Sequence, residues 1–355
     1  MTIPCVVVAY YDFENIKTTV DHLLDYVGIL DLHVIENSSE LTKTHIEPYF
    51  LELVHSGKVS KYFLFDRNIS NNALEVVLDG GYIDFSDSEY VMLTDGDLLP
   101  LNHGWLLEEM EIVGKSKEVF ACGIRLDLGN LPTTTFPDAH RWVGAPRSET
   151  DLYLEAPGGL HLVLLTTAEL IGFLNYRKRH DLRIADFTLR HYCYEILDKK
   201  WVTTKRSSAR HLTWDRYSDL GHPYTKLKLS RSFDETWRHD SYSGFELHMR
   251  DSVSRHFPFR KMLAGRIRHF RQWPRRATGG MMTLLKKRVP EPLKQVARAA
   301  KCRLRQAITR LQFWGTRYHC VVCGSRGCQF SPDSGPGVFG QDGPAERMTL
   351  AQLLM

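Results

Sequence analysis

The stretch YVMLTDGDLLP, Tyr90 to Pro100, is an apolar run that stops at two aspartates separated by one glycine. Two like charges this close are costly unless something positive sits between them. A hard divalent cation would remove the repulsion, held by one or two carboxylates with diphosphate oxygens completing its shell. Gly96 would let the backbone approach such a ligand closely. The competing reading is a surface turn, since Asp-Gly is a common turn dipeptide. Position favours the ligand site, because three earlier strand ends also stop in polar residues suited to a nucleotide.

Those strand ends come from a regular alternation of elements. IPCVVVAYY is a β-branched run of buried-strand type, and FENIKTTVDHLLDYV follows with Ile16, Val20, Leu23, Leu24 and Val27 at helical spacing. LDLHVIENSS predicts a strand, HIEPYFLELVHSG a helix stopped by Gly57, KYFLFDRN a strand, NALEVVLDGG a helix and EYVMLTDGD a strand. This rhythm predicts an α/β fold with right-handed crossovers and a mainly parallel sheet. In such sheets ligands bind beyond the carboxyl ends of the strands. Tyr10, Tyr11, Asp12, Glu36, Asn37, Arg67, Asn68, Asp95 and Asp97 are therefore expected along one edge.

The bulk properties set the frame. The 355 residues suffice for one large α/β domain plus an appendage, and 43% hydrophobic and 25% charged residues are ordinary for a soluble protein. Ile3 to Tyr10 is too short for a signal peptide, and Gly158 to Leu174 is interrupted by His161 and Glu169, so neither a leader nor a membrane span is expected. Scattered cysteines (Cys5, Cys122, Cys193, Cys302) give no disulfide framework and fit a reducing compartment. The net charge of +4 hides an asymmetry: Arg255 to Arg317 holds eighteen Lys and Arg against the single acid Glu291, and the chain before it is net acidic. The expected divisions are 1–250 as an α/β domain, 251–318 as a basic amphipathic helical region, and 319–355 as a Cys-containing low-complexity tail, disordered or a truncated remnant.

With these motifs in place, the first 250 residues resemble the GT-A glycosyltransferases, and within them the family 2-like inverting enzymes with a DxD motif. VVVAYYDFENIKTTVDHLL is similar to their first strand and helix, LHVIENSS to the strand that meets the nucleotide base, FDRNISNNALEVVLDGG to the Arg/Asn-bearing segment, and LTDGD to the DxD motif. EAPGGLHLVLLTTAEL is similar to the Gly-rich acceptor-side segment, RIADFTLRHYCYEIL to the segment carrying the catalytic base, and ARHLTWDRY to a late segment that returns a histidine to the metal. Glu36 stands where the family usually has aspartate, and Ala185 precedes Asp186 where an acid is common.

The resemblance implies a Rossmann-like GT-A fold, a mainly parallel mixed sheet flanked by helices, and a metal-dependent hexosyltransferase-type enzyme that inverts the anomeric centre. Asp97 and His211 would hold Mn2+ or Mg2+. Tyr10, Tyr11, Glu36, Asn37, Arg67 and Asp95 would bind the nucleoside-diphosphate-sugar, Asp95 at its ribose. Asp186 would be the catalytic base, and Gly158, Gly159 and Trp214 would line the acceptor side. Read from the residues alone, Asp186 is equally a helix N-cap or first-turn acid. By the same standard Gly158 and Gly159 are a turn, His211 is a structural histidine, and Trp214 and Trp201 are core packing. Asp215 is unassigned. The expected partners are the sugar-nucleotide donor and a glycan or lipid-linked sugar acceptor, in polysaccharide or glycan assembly. Two other classes compete: an inactive sugar-nucleotide-binding module, and a haloacid-dehalogenase-type phosphohydrolase, which Leu99 disfavours.

The basic stretch carries Phe259, Met262, Leu263, Ile267 and Phe270, then Val296, Leu304, Ile308 and Leu311, at roughly helical spacing among Arg and Lys. Basic amphipathic helices lie well on anionic membranes. That predicts a cytoplasmic protein with peripheral contact at the inner face of the cell membrane, against a helical appendage packed on the catalytic domain. No nucleic-acid recognition motif is present, and no nucleic-acid partner is expected. His319, Cys320, Cys323 and Cys328 make half a zinc ribbon by spacing, short of a closed four-ligand site.

Overall fold

A computed structural model describes residues 2–156, 158–180, 182–230 and 244–257. The basic helical region beyond residue 257 and the Cys-containing tail lie outside the described residues.

The first half builds as the sequence predicts. Strands β1 (Ile3–Tyr10), β2 (Leu30–Asn37), β3 (Lys61–Phe65) and β4 (Tyr90–Asp95) alternate with helices α1 (Phe13–Leu24), α2 (Glu47–His55) and α3 (Asn72–Asp79). α1 starts where the Asp12 carboxylate accepts from the Asn15 amide at 3.3 Å, and it buries Ile16, Val20 and Leu23 along one stripe. A π turn, Thr42–Ile46, leads into α2, whose first turn carries Pro48.

The second half is less regular. It runs β5 (Leu98–Pro100), α4 (Trp105–Lys115), β6 (Val119–Leu126), β7 (Ser148–Glu149), β8 (Tyr153–Glu155), β9 (Val163–Thr166), α5 (Thr167–His180), α6 (Asp186–His191), β10 (Lys200–His211), α7 (Leu212–Tyr217), α8 (Pro223–Ser230), β11 (Phe245–Met249) and β12 (Ser252–His256).

The described strands form one sheet in the order β12-β11-β3-β2-β1-β4-β9-β6-β10-β8-β7, with β5 beside β10. Four of the eleven pairings are parallel, β1 with β2, β1 with β4, β2 with β3 and β6 with β10; the other seven are antiparallel. The expectation of a mainly parallel sheet thus holds for β3-β2-β1-β4 and fails beyond them. There β7 with β8 and β11 with β12 are antiparallel returns, which need no helical crossover. Because β9 is antiparallel to both β4 and β6, it restores the direction of β4 in β6 and hence in β10. The carboxyl ends of β1 to β4, β6 and β10 therefore share one edge with the start of β9.

Side-chain alternation splits the core into two layers. Cys5, Val7 and Ala9 pack with α1, α2 and α4 through Ile16, Phe50 and Trp105, while Val6 joins the layer of α3, α5 and α6 through Leu74, Phe173 and Leu189. A third cluster, Tyr11, Phe136, Ala139, Trp142, Trp214, Tyr217 and Tyr224, includes residues of the β1 end, α7 and α8. The sheet continues past the boundary read at residue 250, since β12 ends at His256. No described helix is long and apolar enough to cross a membrane.

Candidate functional site

The shared strand edge carries the Asp95-Gly96-Asp97 turn. The Gly96 amide donates to Val8 O at 2.9 Å, and a Cβ there would lie 3.1 Å from that oxygen and 3.6 Å from Ala9 Cα. The turn is therefore pressed onto the end of β1, and glycine is what permits it. The chain then enters β5, which pairs with β10 so that Leu98 lies opposite His211. The Leu212 amide donates to Asp97 O at 2.7 Å, closing the same junction. Sheet register thus lays His211 beside Asp97 across more than a hundred residues of chain, with Nδ1 3.5 Å from Asp97 Oδ2. The Thr213 hydroxyl donates to the same Oδ2, while Asp97 Oδ1 is buried without a hydrogen-bond partner among the described residues.

Next to this pair lies the loop before β9. The Asp95 amide donates to Leu160 O at 2.9 Å, and the Leu162 amide donates to Thr94 Oγ1 at 3.2 Å. A Cβ on Gly159 would stand 2.9 Å from His161 Nε2 and 3.3 Å from Asp186 Oδ2. Gly159 therefore allows the imidazole and the carboxylate to crowd the same point. Gly158 meets only Trp201 Nε1, at an ordinary 3.9 Å. His161 in turn packs edge-on against His211, with ring centroids 5.5 Å apart. Burial pushes the His161 pKa down to about 3, with His211 adding to the fall and Asp97 opposing it, so the ring is neutral.

Asp186 is the first residue of α6, and Ala185 is the N-cap. Thr188 closes that end, its Oγ1 accepting from the Ala185 amide at 3.1 Å. Arg183 donates to Asn72 Oδ1 at 2.8 Å and the Ile184 amide to Glu75 Oε2 at 3.3 Å, which fixes the approach to α6 against α3. The helix start does not require Asp186 as its cap.

The β1 end closes the other flank. Asp12 takes a two-pronged contact from Arg216 of α7, Nε to Oδ2 at 2.8 Å and Nη2 to Oδ1 at 3.4 Å. Tyr11 has a left-handed backbone (φ 66°) and its ring stacks on Tyr224 of α8 at 5.6 Å. Such strain in a non-glycine residue concentrates at functional sites. Tyr10 is half-buried, its ring 6.0 Å from that of Tyr11.

Several expected site residues have other duties. Glu36 is fully buried and faces inward, its carboxylate accepting from Thr42 Oγ1 at 2.5 Å and from the Tyr62 hydroxyl. Burial raises its pKa to about 7 against the pull of those two donors. Asn37 is also buried: Oδ1 accepts from the Ile69 amide at 2.9 Å and Nδ2 donates to Ser70 O at 3.4 Å, bracing the loop after β3. Arg67 is exposed on that loop. Trp214 is 3% exposed and stacks on His211 at 5.0 Å and 9°, so it holds the histidine and turns no open face to a sugar. Trp201 is in the core. Sequence reasoning missed His161, whose GGLH context was the only signal. It also missed Thr213, Arg216 and Tyr224, which only the sheet register brings to this edge.

Among the described residues, no three His, Cys, Asp or Glu side chains gather as a metal-binding group. Asp97 with His211 is a pair, and its buried, unmatched Oδ1 is a carboxylate oxygen with capacity to spare. A divalent ion held by one carboxylate and one imidazole, and completed by phosphate oxygens and water, fits that donor set.

No protein-family model matches the sequence. Proteins of Acanthamoeba polyphaga mimivirus are similar to it: uncharacterized protein L142 is 38% identical over 250 residues, 69% of this chain and 50% of its own length. Uncharacterized proteins L137 and L138 are 37% and 33% identical over 70% and 71% of this chain, and 34% and 29% of theirs. The chain thus spans about half the length of the first and about a third of the other two. Among solved structures, GalNAc-T7 with UDP, GalNAc and Mn2+ aligns at a TM-score of 0.39 and 12% identity, over 59% of this chain and 44% of that one.

Proposed function

We propose that the strand edge is the active site of a metal-dependent glycosyltransferase that moves a sugar from a nucleoside diphosphate to an acceptor hydroxyl with inversion. The observation that carries this reading is the meeting of Asp97 with His211 beside Gly159, whose missing Cβ leaves room for both His161 Nε2 and Asp186 Oδ2. One side offers a donor set for a diphosphate-bound cation and the other a carboxylate, as a direct displacement requires.

Asp97 and His211 would hold Mn2+ or Mg2+, which when bound supplies Lewis-acid stabilisation of charge developing on the diphosphate. Asp95 and the β1 end bind the nucleoside, with Tyr11 held by Tyr224 and the loop held by the Asp12–Arg216 pair. Asp186 accepts the proton of the acceptor hydroxyl as its oxygen bonds the anomeric carbon and the bond from that carbon to the diphosphate oxygen breaks. The acceptor is a glycan or a lipid-linked sugar, the latter brought close by basic sequence on an anionic membrane. The test is nucleoside diphosphate release from UDP- and GDP-sugars with manganese. Asp186→Asn is expected to lower it by about 10²- to 10⁴-fold while nucleotide affinity is kept, and an unchanged rate removes Asp186 from the mechanism.

A further inference from the structure

We infer that Thr213 is a positioning residue for the cation site, its hydroxyl fixing the Asp97 carboxylate in the orientation that takes up a divalent ion; this rests on the reading of the site above. A threonine hydroxyl in a helix commonly returns to its own backbone about one turn earlier. Thr18 of α1 does so, donating to Glu14 O at 2.8 Å, as does Thr188 in the first turn of α6, donating to Ala185 O at 2.7 Å. Thr213 stands in the first turn of α7 and donates instead to Asp97 Oδ2, 116 residues away. The residue is 2% exposed, so this bond is made out of bulk solvent.

Successive residues of α7 hold Asp97 at two points. The Leu212 amide donates to its backbone carbonyl at 2.7 Å, and the Thr213 hydroxyl donates to its side chain. A carboxylate tied only through its backbone turns easily about its last side-chain bond. The hydroxyl stops that turning and keeps Oδ2 3.5 Å from His211 Nδ1, with Oδ1 buried and without a hydrogen-bond partner among the described residues. Groups that orient a ligating side chain in this way are commonly worth about 10- to 100-fold in metal affinity. Thr213 thus acts through Asp97 and touches neither the ion nor the sugar. A Thr213 that served the fold alone would contribute to stability and leave ion affinity unchanged.

Manganese is titrated into the parent, Thr213→Val and Thr213→Ser in the presence of UDP or GDP, followed by the electron paramagnetic resonance of the free ion, and the urea midpoint of each protein is measured in EDTA. The parent should bind manganese saturably with at least one nucleotide. Thr213→Val keeps the shape and removes the hydroxyl, and should bind manganese at least about tenfold more weakly. Thr213→Ser loses a buried methyl but keeps the hydroxyl, and should recover most of that affinity even where its urea midpoint falls. Equal affinity in Thr213→Val and the parent, or affinity that follows the urea midpoint rather than the hydroxyl, overturns the assignment. If Thr213→Val does not fold, Thr213→Ala takes its place, and Thr213→Ser should bind manganese at least about tenfold more tightly than it does. A folded parent that binds no manganese with either nucleotide overturns the metal site itself, and with it the glycosyltransferase reading beneath the proposal.

Discussion

The two halves of the shared strand edge use the same kinds of residue for opposite ends. At the end of β2, Glu36 and Asn37 spend their polar atoms on Thr42, Tyr62, Ile69 and Ser70. At the junction of the β4 and β10 ends, Asp97 Oδ2 accepts from Thr213, and Asp97 Oδ1 is buried without a hydrogen-bond partner among the described residues. Both sets are polar residues at strand ends, and both are largely buried. The difference is satisfaction: one set completes the fold, and the other keeps a carboxylate oxygen that no described residue takes up.

This comparison breaks most visibly at Glu36. Glu36→Ala would leave the Thr42 and Tyr62 hydroxyls buried without their acceptor, and a loss of about 3 kcal/mol in unfolding free energy is expected, read from urea midpoints. Nucleotide affinity of the folded fraction should not change. The same residue gives a pH signature. Its carboxyl is raised from 4.5 to about 7 in the folded protein, so the folded state favours the proton. Its contribution is full below about pH 4.5 and is lost as pH rises through about 7. Parent minus Glu36→Gln stability should therefore fall between pH 5 and 7.5.

Gly159→Ala tests the other half, because its Cβ would meet His161 and Asp186 rather than empty space. Donor turnover should fall about tenfold through misplacement of those groups, with a stability loss of roughly 1 kcal/mol. The smallest effect is expected at Asn37→Ala, which frees the Ile69 amide and should cost about 1 kcal/mol with no change in nucleotide affinity. A nucleotide-binding defect in Asn37→Ala would show that the β2 end belongs to the site after all.

Much of this was legible in the sequence, and the reasons are local. The β-branched runs and the helical stripes of α1 and α3 lie within short windows, so their periodicity names them. Asp95 and Asp97 are separated by a single glycine, and their repulsion is visible without a fold. Glu36 was misread because the end of a strand does not say which layer its side chain enters; pairing opposite Ala9 places it in the β2 end, and Thr42 and Tyr62 then claim it. His161 was passed over because VLLT reads equally as strand or helix. Only the insertion of β9 between β4 and β6 brings residue 161 within reach of residue 211. The His211 contact depends likewise on the β5–β10 register, a pairing no window contains.

The central claim is that the β4–β10 edge binds a nucleoside diphosphate through Asp97 and a divalent cation. Calorimetric titration of UDP and GDP, with and without manganese, into the parent and Asp97→Ala tests it most directly. Saturable binding of one nucleotide that requires manganese and is weakened on the order of 100-fold or more by Asp97→Ala is the predicted result. Absence of binding by either nucleotide in the folded parent, or binding indifferent to both manganese and Asp97, would contradict it.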